Sequence, residues 1–145
     1  MRNECLITPW AVVIGWASKM ILLEKEVMKL LLDGANPALA VLRQQLEYAR
    51  VAKRENTGVG FYTKFTIPEN VRRLDDGKSF KIGDVVAEIE GLKHGAGFLL
   101  FVTDGALDEL EGYCYDEAWP KEVIGFKLAY FGASERDMKP LKDII

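Results

Sequence analysis

Histidine occurs once in these 145 residues, as His94, and cysteine twice, as Cys5 and Cys114. Neither cysteine has a second Cys or His at ligand spacing. That argues against a metal site and a disulfide framework, and it makes a reducing cytoplasm the expected compartment. There is no low-complexity tract and no repeat at solenoid period. No GxxxxGK followed by Ser or Thr is present, so a phosphate loop is excluded. An excess of base is lacking too: 19 Lys and Arg stand against 22 Asp and Glu, for a net charge of −3. Nucleic acid is therefore not an expected partner, because phosphate binding needs a basic surface.

What is present is an ordinary globular composition, 49% hydrophobic and 28% charged. The expected organisation is a single domain over residues 20–145. Residues 1–19 stand apart. Cys5 to Leu23 is apolar, but Pro9 and Lys19 cut the uninterrupted run to about nine residues, short of the roughly 20 a membrane span needs. The stretch reads as an irregular extension or start-site artefact, as an element packed on the domain, or as an N-terminal anchor. The first is favoured, and no membrane association is expected.

Apolar residues at Leu23, Val27, Leu30 and Leu31 predict a helix from Met20 to Asp33. Asn36-Pro37 supplies a cap and a first-turn proline for a second helix reaching Arg54, with Leu39, Leu42, Leu46 and Ala49 inward and Arg43 outward. A strand is expected over Thr57–Pro68 with Val59, Phe61, Thr63, Phe65 and Ile67 on one face. After a polar loop, further strands fall near Asp84–Ile89, Ala96–Thr103, Ala106–Tyr113 and Val123–Phe131. Asp104-Gly105 marks a hairpin. A two-residue loop pairs Val102 with Leu107, whereas a three-residue loop with a bulge pairs Phe101 with Leu107, and each sends different carboxylates to solvent. The expected fold is α+β: an N-terminal antiparallel helix pair packed on a mainly antiparallel sheet of about five strands.

The motifs TGVGF at residues 57–61, HGAGF at 94–98, and LEGYCYDEAWP at 110–120 resemble those of a group of small bacterial proteins with no established activity. The similarity covers roughly Ala38 to Pro120. It implies a bacterial cytoplasmic protein whose chain begins near Met20, and it supplies no catalytic residues.

Both GxG motifs lack the third glycine of a dinucleotide fingerprint and lead into strands. They read as sites of bulges or close backbone approach. His94 reads as a loop histidine or, less favourably, as a general base; Cys114, between Tyr113 and Tyr115, reads as a small apolar residue rather than a nucleophile. Charge is unevenly spread. Residues 84–122 hold ten acids and two bases, or −8. That pattern points to a non-enzymatic module that docks a basic protein partner through Asp108, Glu109, Glu111, Tyr113, Tyr115, Asp116 and Trp119. One version is an immunity-type protein blocking a basic toxin. The alternative is a small enzyme or metabolite-binding domain with a pocket formed by His94, Glu111, Tyr113 and Trp119. A homodimer is a third possibility. No cofactor is expected.

Overall fold

The structure, a computed structural model, describes residues 20–132 and 134–145. The expectations for residues 1–19 lie outside the described residues. Two helices, α1 (Leu22–Leu31) and α2 (Pro37–Tyr48), precede strands β1 (Arg50–Asn56), β2 (Gly60–Thr66), β3 (Phe80–Ile82), β4 (Val85–Ile89), β5 (Ala96–Thr103), β6 (Ala106–Cys114) and β7 (Phe126–Tyr130), and α3 (Lys139–Lys142) closes the chain. The fold is α+β with a mainly antiparallel sheet, and among the described residues it has seven strands rather than about five. No helix among the described residues is long and apolar enough to cross a membrane.

The strand order is β1-β2-β6-β5-β4-β7, with β3 also on β5. β3 and β4 behave as one interrupted strand. Ile82 pairs with Leu100 and Val86 with Gly97, a one-residue slip that places a bulge at Gly83-Asp84. The slip lets Ile82 and Val85, an odd number of residues apart, both face the core. The same device recurs twice. A register shift between Val51 and Lys53 turns both Val51 and Arg54 inward. A shift opposite Phe101/Val102 turns both Leu107 and Leu110 inward.

The second helix ends at Tyr48 rather than Arg54. Ala49 takes an extended conformation, and Arg50–Asn56 leaves the helix to become an edge strand paired with β2. Pairing with β2 supplies hydrogen bonds along one side of this backbone, and Val51 reaches the core. Asn36 caps α2 as expected, its side chain accepting from Ala38 N–H at 2.8 Å.

The helices do not form a clear antiparallel pair. α1 crosses the sheet from β2, where Glu24 meets Thr63, to β7, where Tyr130 donates to Leu30 O at 2.7 Å. α2 packs over β6. Two buried polar side chains fasten them. Glu24 is fully buried. It accepts from Ile21 N–H at 2.9 Å, from Arg54 Nε and Nη2 at 3.0 and 2.7 Å, and from Thr63 Oγ1. Gln45 of α2 accepts from Leu107 N–H at 2.9 Å and donates to Arg72 O and Gly105 O at 3.0 and 2.9 Å. Arg43 is exposed, as expected, and donates from Nη1 to the carbonyls of Leu32 and Gly34 at the end of α1.

Candidate functional site

The Asp104-Gly105 turn has positive φ at both residues, 51° and 79°, as a two-residue hairpin loop requires. Val102 pairs with Leu107, and the bulge falls one step farther on, so that Phe101 meets Glu109. Of the two expected registers the two-residue loop is therefore the one formed, and Phe101 does not pair with Leu107. The bulge decides where the acids go: it places Asp108 and Glu109 together on the face opposite the core.

That face is built by the side chains alternating with the core set. Pairing aligns them in rows across the sheet. One row runs Glu55, Tyr62, Glu111, Leu99. The next runs Lys53, Lys64, Glu109, Phe101, Lys81. A third runs Tyr113, Gly97, Val86, Ala129. α1 and α2 reach the other face, through the core contacts already described. Tyr62, Leu99, Phe101, Tyr113 and Val86 are half-buried, so a strip of apolar and aromatic surface runs through the middle of a charged sheet. Beside Leu99 the face continues into an apolar groove of about 490 Å³, walled by Phe131, Pro140, Leu141 and Ile144.

Gly97 of HGAGF and Gly112 of Glu111-Gly112-Tyr113 each lie under an aromatic ring. The Tyr113 ring lies across Gly97 on the open face, where an added Cβ would come within 2.5 Å of its hydroxyl. On the core face the Phe61 ring lies on Gly112, and a Cβ there would come within 2.2 Å of it. These are cross-strand partners, Gly97 with Tyr113 and Gly112 with Phe61. A ring filling the space above a strand glycine restores packing that the glycine lacks. Gly60 and Gly95 instead lie against the backbone carbonyls of Gly112 and Ala87, and Gly58 has open space around it at φ 90°.

Electrostatics divide the acids. Burial pushes the Asp108 carboxyl up, but hydrogen bonds from Lys64 and Thr103 and the Lys64 charge outweigh it, leaving Asp108 below its ordinary value. The Lys64 ammonium is raised in turn, chiefly by its bond to Asp108. Glu109 is raised, first by burial and then by the charges of Asp108, Glu111 and Glu55, with Lys64 opposing. Tyr62 is raised by its hydrogen bond to Glu111 and by that carboxylate's charge. Glu55, Glu109 and Glu111 therefore crowd one another around Tyr62.

The stretch at 84–122 is less acidic in space than in sequence, because Lys53, Lys64 and Lys81 enter the same rows from other strands. Of the residues expected to bind, Glu109, Glu111 and Tyr113 share the open face, with Asp108 tied to Lys64 beside them. Tyr115 is exposed and stacks edge-on to Tyr113 at 5.7 Å. Asp116 is exposed in the turn that follows, at φ 52°. Trp119 lies in the core, its ring 5.3 Å from that of Phe61. His94 is exposed and borders a shallow cleft of about 790 Å³ with Val86, Tyr115, Lys127 and Phe131; Glu111, Tyr113 and Trp119 do not line it. The backbone at His94 has a clear role. Glu117 accepts from Lys93 N–H at 2.8 Å and His94 N–H at 2.9 Å, and these bonds hold its carboxyl below the ordinary value. Cys114 is buried, donates toward Val59 O at 3.2 Å, and has a thiol raised by burial and by Glu117. No cluster of three or more His, Cys, Asp or Glu capable of holding a metal occurs among the described residues.

Glu55, Tyr62, Lys64, Val86, Leu99 and Phe101 are the site residues that sequence reasoning missed. For Tyr62 and Lys64 the signal was available: they are the alternate positions of the strand whose core face, Phe61, Thr63 and Phe65, is legible. Comparison with protein-family models, curated proteins and solved structures found no match.

Proposed function

We propose that this chain is a non-enzymatic binding module that docks a protein partner on the open face of its sheet. The carrying observation is the half-buried strip of Val86, Leu99, Phe101 and Tyr113 beside the crowded carboxylates Glu55, Glu109 and Glu111. Aromatic and aliphatic anchors ringed by charge suit a desolvated interface centre with a polar rim. Mutual repulsion among the acids is relieved when a partner brings Lys or Arg to them, which favours a basic partner. Trp119 leaves the proposed contact set because it belongs to the core, and Tyr62, Leu99 and Phe101 join it. The bacterial, cytoplasmic setting implied by the motif resemblance is part of the same proposal.

Affinity capture with the full chain tests it. A protein retained by wild type and by a Glu26→Lys/Glu47→Lys variant on the helical side, but lost from Glu109→Lys/Glu111→Lys, supports the reading. Equal retention by both folded variants contradicts it.

The cleft beside His94 favours a second reading, a small-molecule site between Tyr115 and Phe131. A metabolite panel that raises the melting temperature of wild type but not of a Tyr115→Ser/Phe131→Ser variant would favour it over protein docking.

A further inference from the structure

The sheet has two outer edges, and they differ. β1 carries Arg50, Lys53, Arg54 and Glu55 within seven residues and is interrupted by a bulge. Charge and bulges both discourage pairing with another chain. β7 reads FKLAY, with one charge and an unbroken register against β4. Its core-facing residues Phe126, Leu128 and Tyr130 are only half-buried, whereas their partners Ile89, Ala87 and Val85 are buried. Among the described residues, the core ends unfinished along this edge.

The hydrogen bonds fix which groups face outward. Phe131 N–H donates to Asp84 O at 2.8 Å, and Gly125 O accepts from Glu90 N–H at 2.9 Å. Odd-numbered residues of β7 therefore turn their backbone groups toward β4, and alternation points those of Phe126, Leu128 and Tyr130 away from the sheet. Among the described residues no backbone group bonds to them from outside.

We propose that a second copy of this chain pairs antiparallel with β7 about a two-fold axis at Leu128, joining two sheets into one. Leu128 then exchanges both bonds with its own counterpart, and Phe126 does so with Tyr130 of the second copy. Every outward donor and acceptor of the strand is satisfied. The register also fits the side chains. Lys127 faces Ala129 of the second copy, so like charges do not meet. Phe131 faces Gly125 of the second copy, and Ile124 lies just beyond. Phe131 and Ile124, 77% and 76% exposed, are the most exposed large hydrophobic residues among those described. A ring on a cross-strand glycine is the arrangement the chain already uses at Phe61–Gly112 and Tyr113–Gly97. A two-fold centred on an odd residue presents inward-turned groups. One centred on Phe126 or Tyr130 leaves part of the strand unpaired and loses the Phe131–Gly125 contact. Such a surface meets its own copy in the self-complementary way that two-fold symmetry requires. The inference is independent of the docking role of the open face.

A five-residue seam lies at the small end of specific interfaces, so dissociation is expected on the order of micromolar concentration. The test is sedimentation velocity of the full chain over about three decades around that value, with amide exchange followed by NMR. The expected result is a reversible dimer in which the amides of Phe126, Leu128 and Tyr130 gain protection with concentration, while those of Lys127, Ala129 and Phe131 are protected throughout. Ala129→Lys sets two like-charge contacts against Lys127 and weakens the dimer by about 3- to 10-fold, and Ala129→Glu strengthens it by a similar factor. A monomer throughout, a dimer without that alternating protection, or equal shifts from the two Ala129 variants would overturn the proposal.

Discussion

Replacing Gln45 with leucine keeps the approximate volume of a fully buried side chain and removes three hydrogen bonds. Leu107 N–H is the group that suffers most. It lies beyond Glu109, the last residue of β6 paired with β2, so the Gln45 amide stands in for a missing strand. Leaving a buried N–H without a partner costs about 1–3 kcal/mol. Gly105 O keeps a bond from Leu74 N–H at 3.0 Å and loses less. Arg72 O is partly buried and adds about 1 kcal/mol. Leucine's extra apolar burial offsets about 1 kcal/mol. The expected net loss is about 1–3 kcal/mol, or roughly a 3–12 °C fall in melting temperature for a chain of this length. Gln45→Glu sharpens the test. A carboxylate still accepts from Leu107 but faces two carbonyl oxygens, so it is expected to destabilise more than leucine despite its closer shape. Urea denaturation of the three proteins gives the order. A leucine variant within about 0.5 kcal/mol of wild type, or a glutamate variant milder than leucine, would refute the reasoning.

The ring–glycine pairs give an asymmetric expectation. Gly112→Ala drives a Cβ into the Phe61 ring, which is packed against Trp119, and should cost about 1–3 kcal/mol by denaturant melt; Gly97→Ala meets the half-exposed Tyr113 ring, which can swing away, and should cost less. Cys114 is expected to resist alkylation in the native state near neutral pH and to react once urea unfolds the chain, as mass spectrometry would show. On acidification Glu109 should protonate above the ordinary glutamate range and Asp108 below the ordinary aspartate range, which carboxyl NMR titration resolves. Because the Asp108 carboxyl is depressed in the fold, its stabilising pairing with Lys64 is complete above the ordinary aspartate value. It is lost as pH falls through the lowered one.

Four strands from Val85 to Tyr130 and the start of α2 were legible in sequence because Asp-Gly, Asn-Pro and runs of β-forming residues are local signals. β1 was hidden because Ala49 continues the helical stripe of Leu39, Leu42 and Leu46, and no glycine or proline marks the exit from α2. Its own alternation is broken by the bulge that turns both Val51 and Arg54 inward. β3 is too short to show a period. Each bulge separates two inward-facing residues by an odd spacing, as in Leu107-Asp108-Glu109-Leu110, and in this chain such spacing marks the irregularity. The acidic surface was overdrawn because charge summed along β6 takes no account of Lys53 and Lys64, which pairing brings alongside. Trp119 read as an interface anchor because its core partner, Phe61, is 58 residues away in sequence.

The most direct test of the binding reading is photo-crosslinking in host lysate. A benzoyl-phenylalanine is placed at Phe101 on the open face, at Leu99 beside it, or at exposed Tyr48 at the end of α2. If the open face is the docking surface, one other protein is captured from Phe101 and Leu99 and not from Tyr48, and Glu111→Lys abolishes its capture. Capture of that protein from Tyr48 alone, or equally from all three positions, would contradict it.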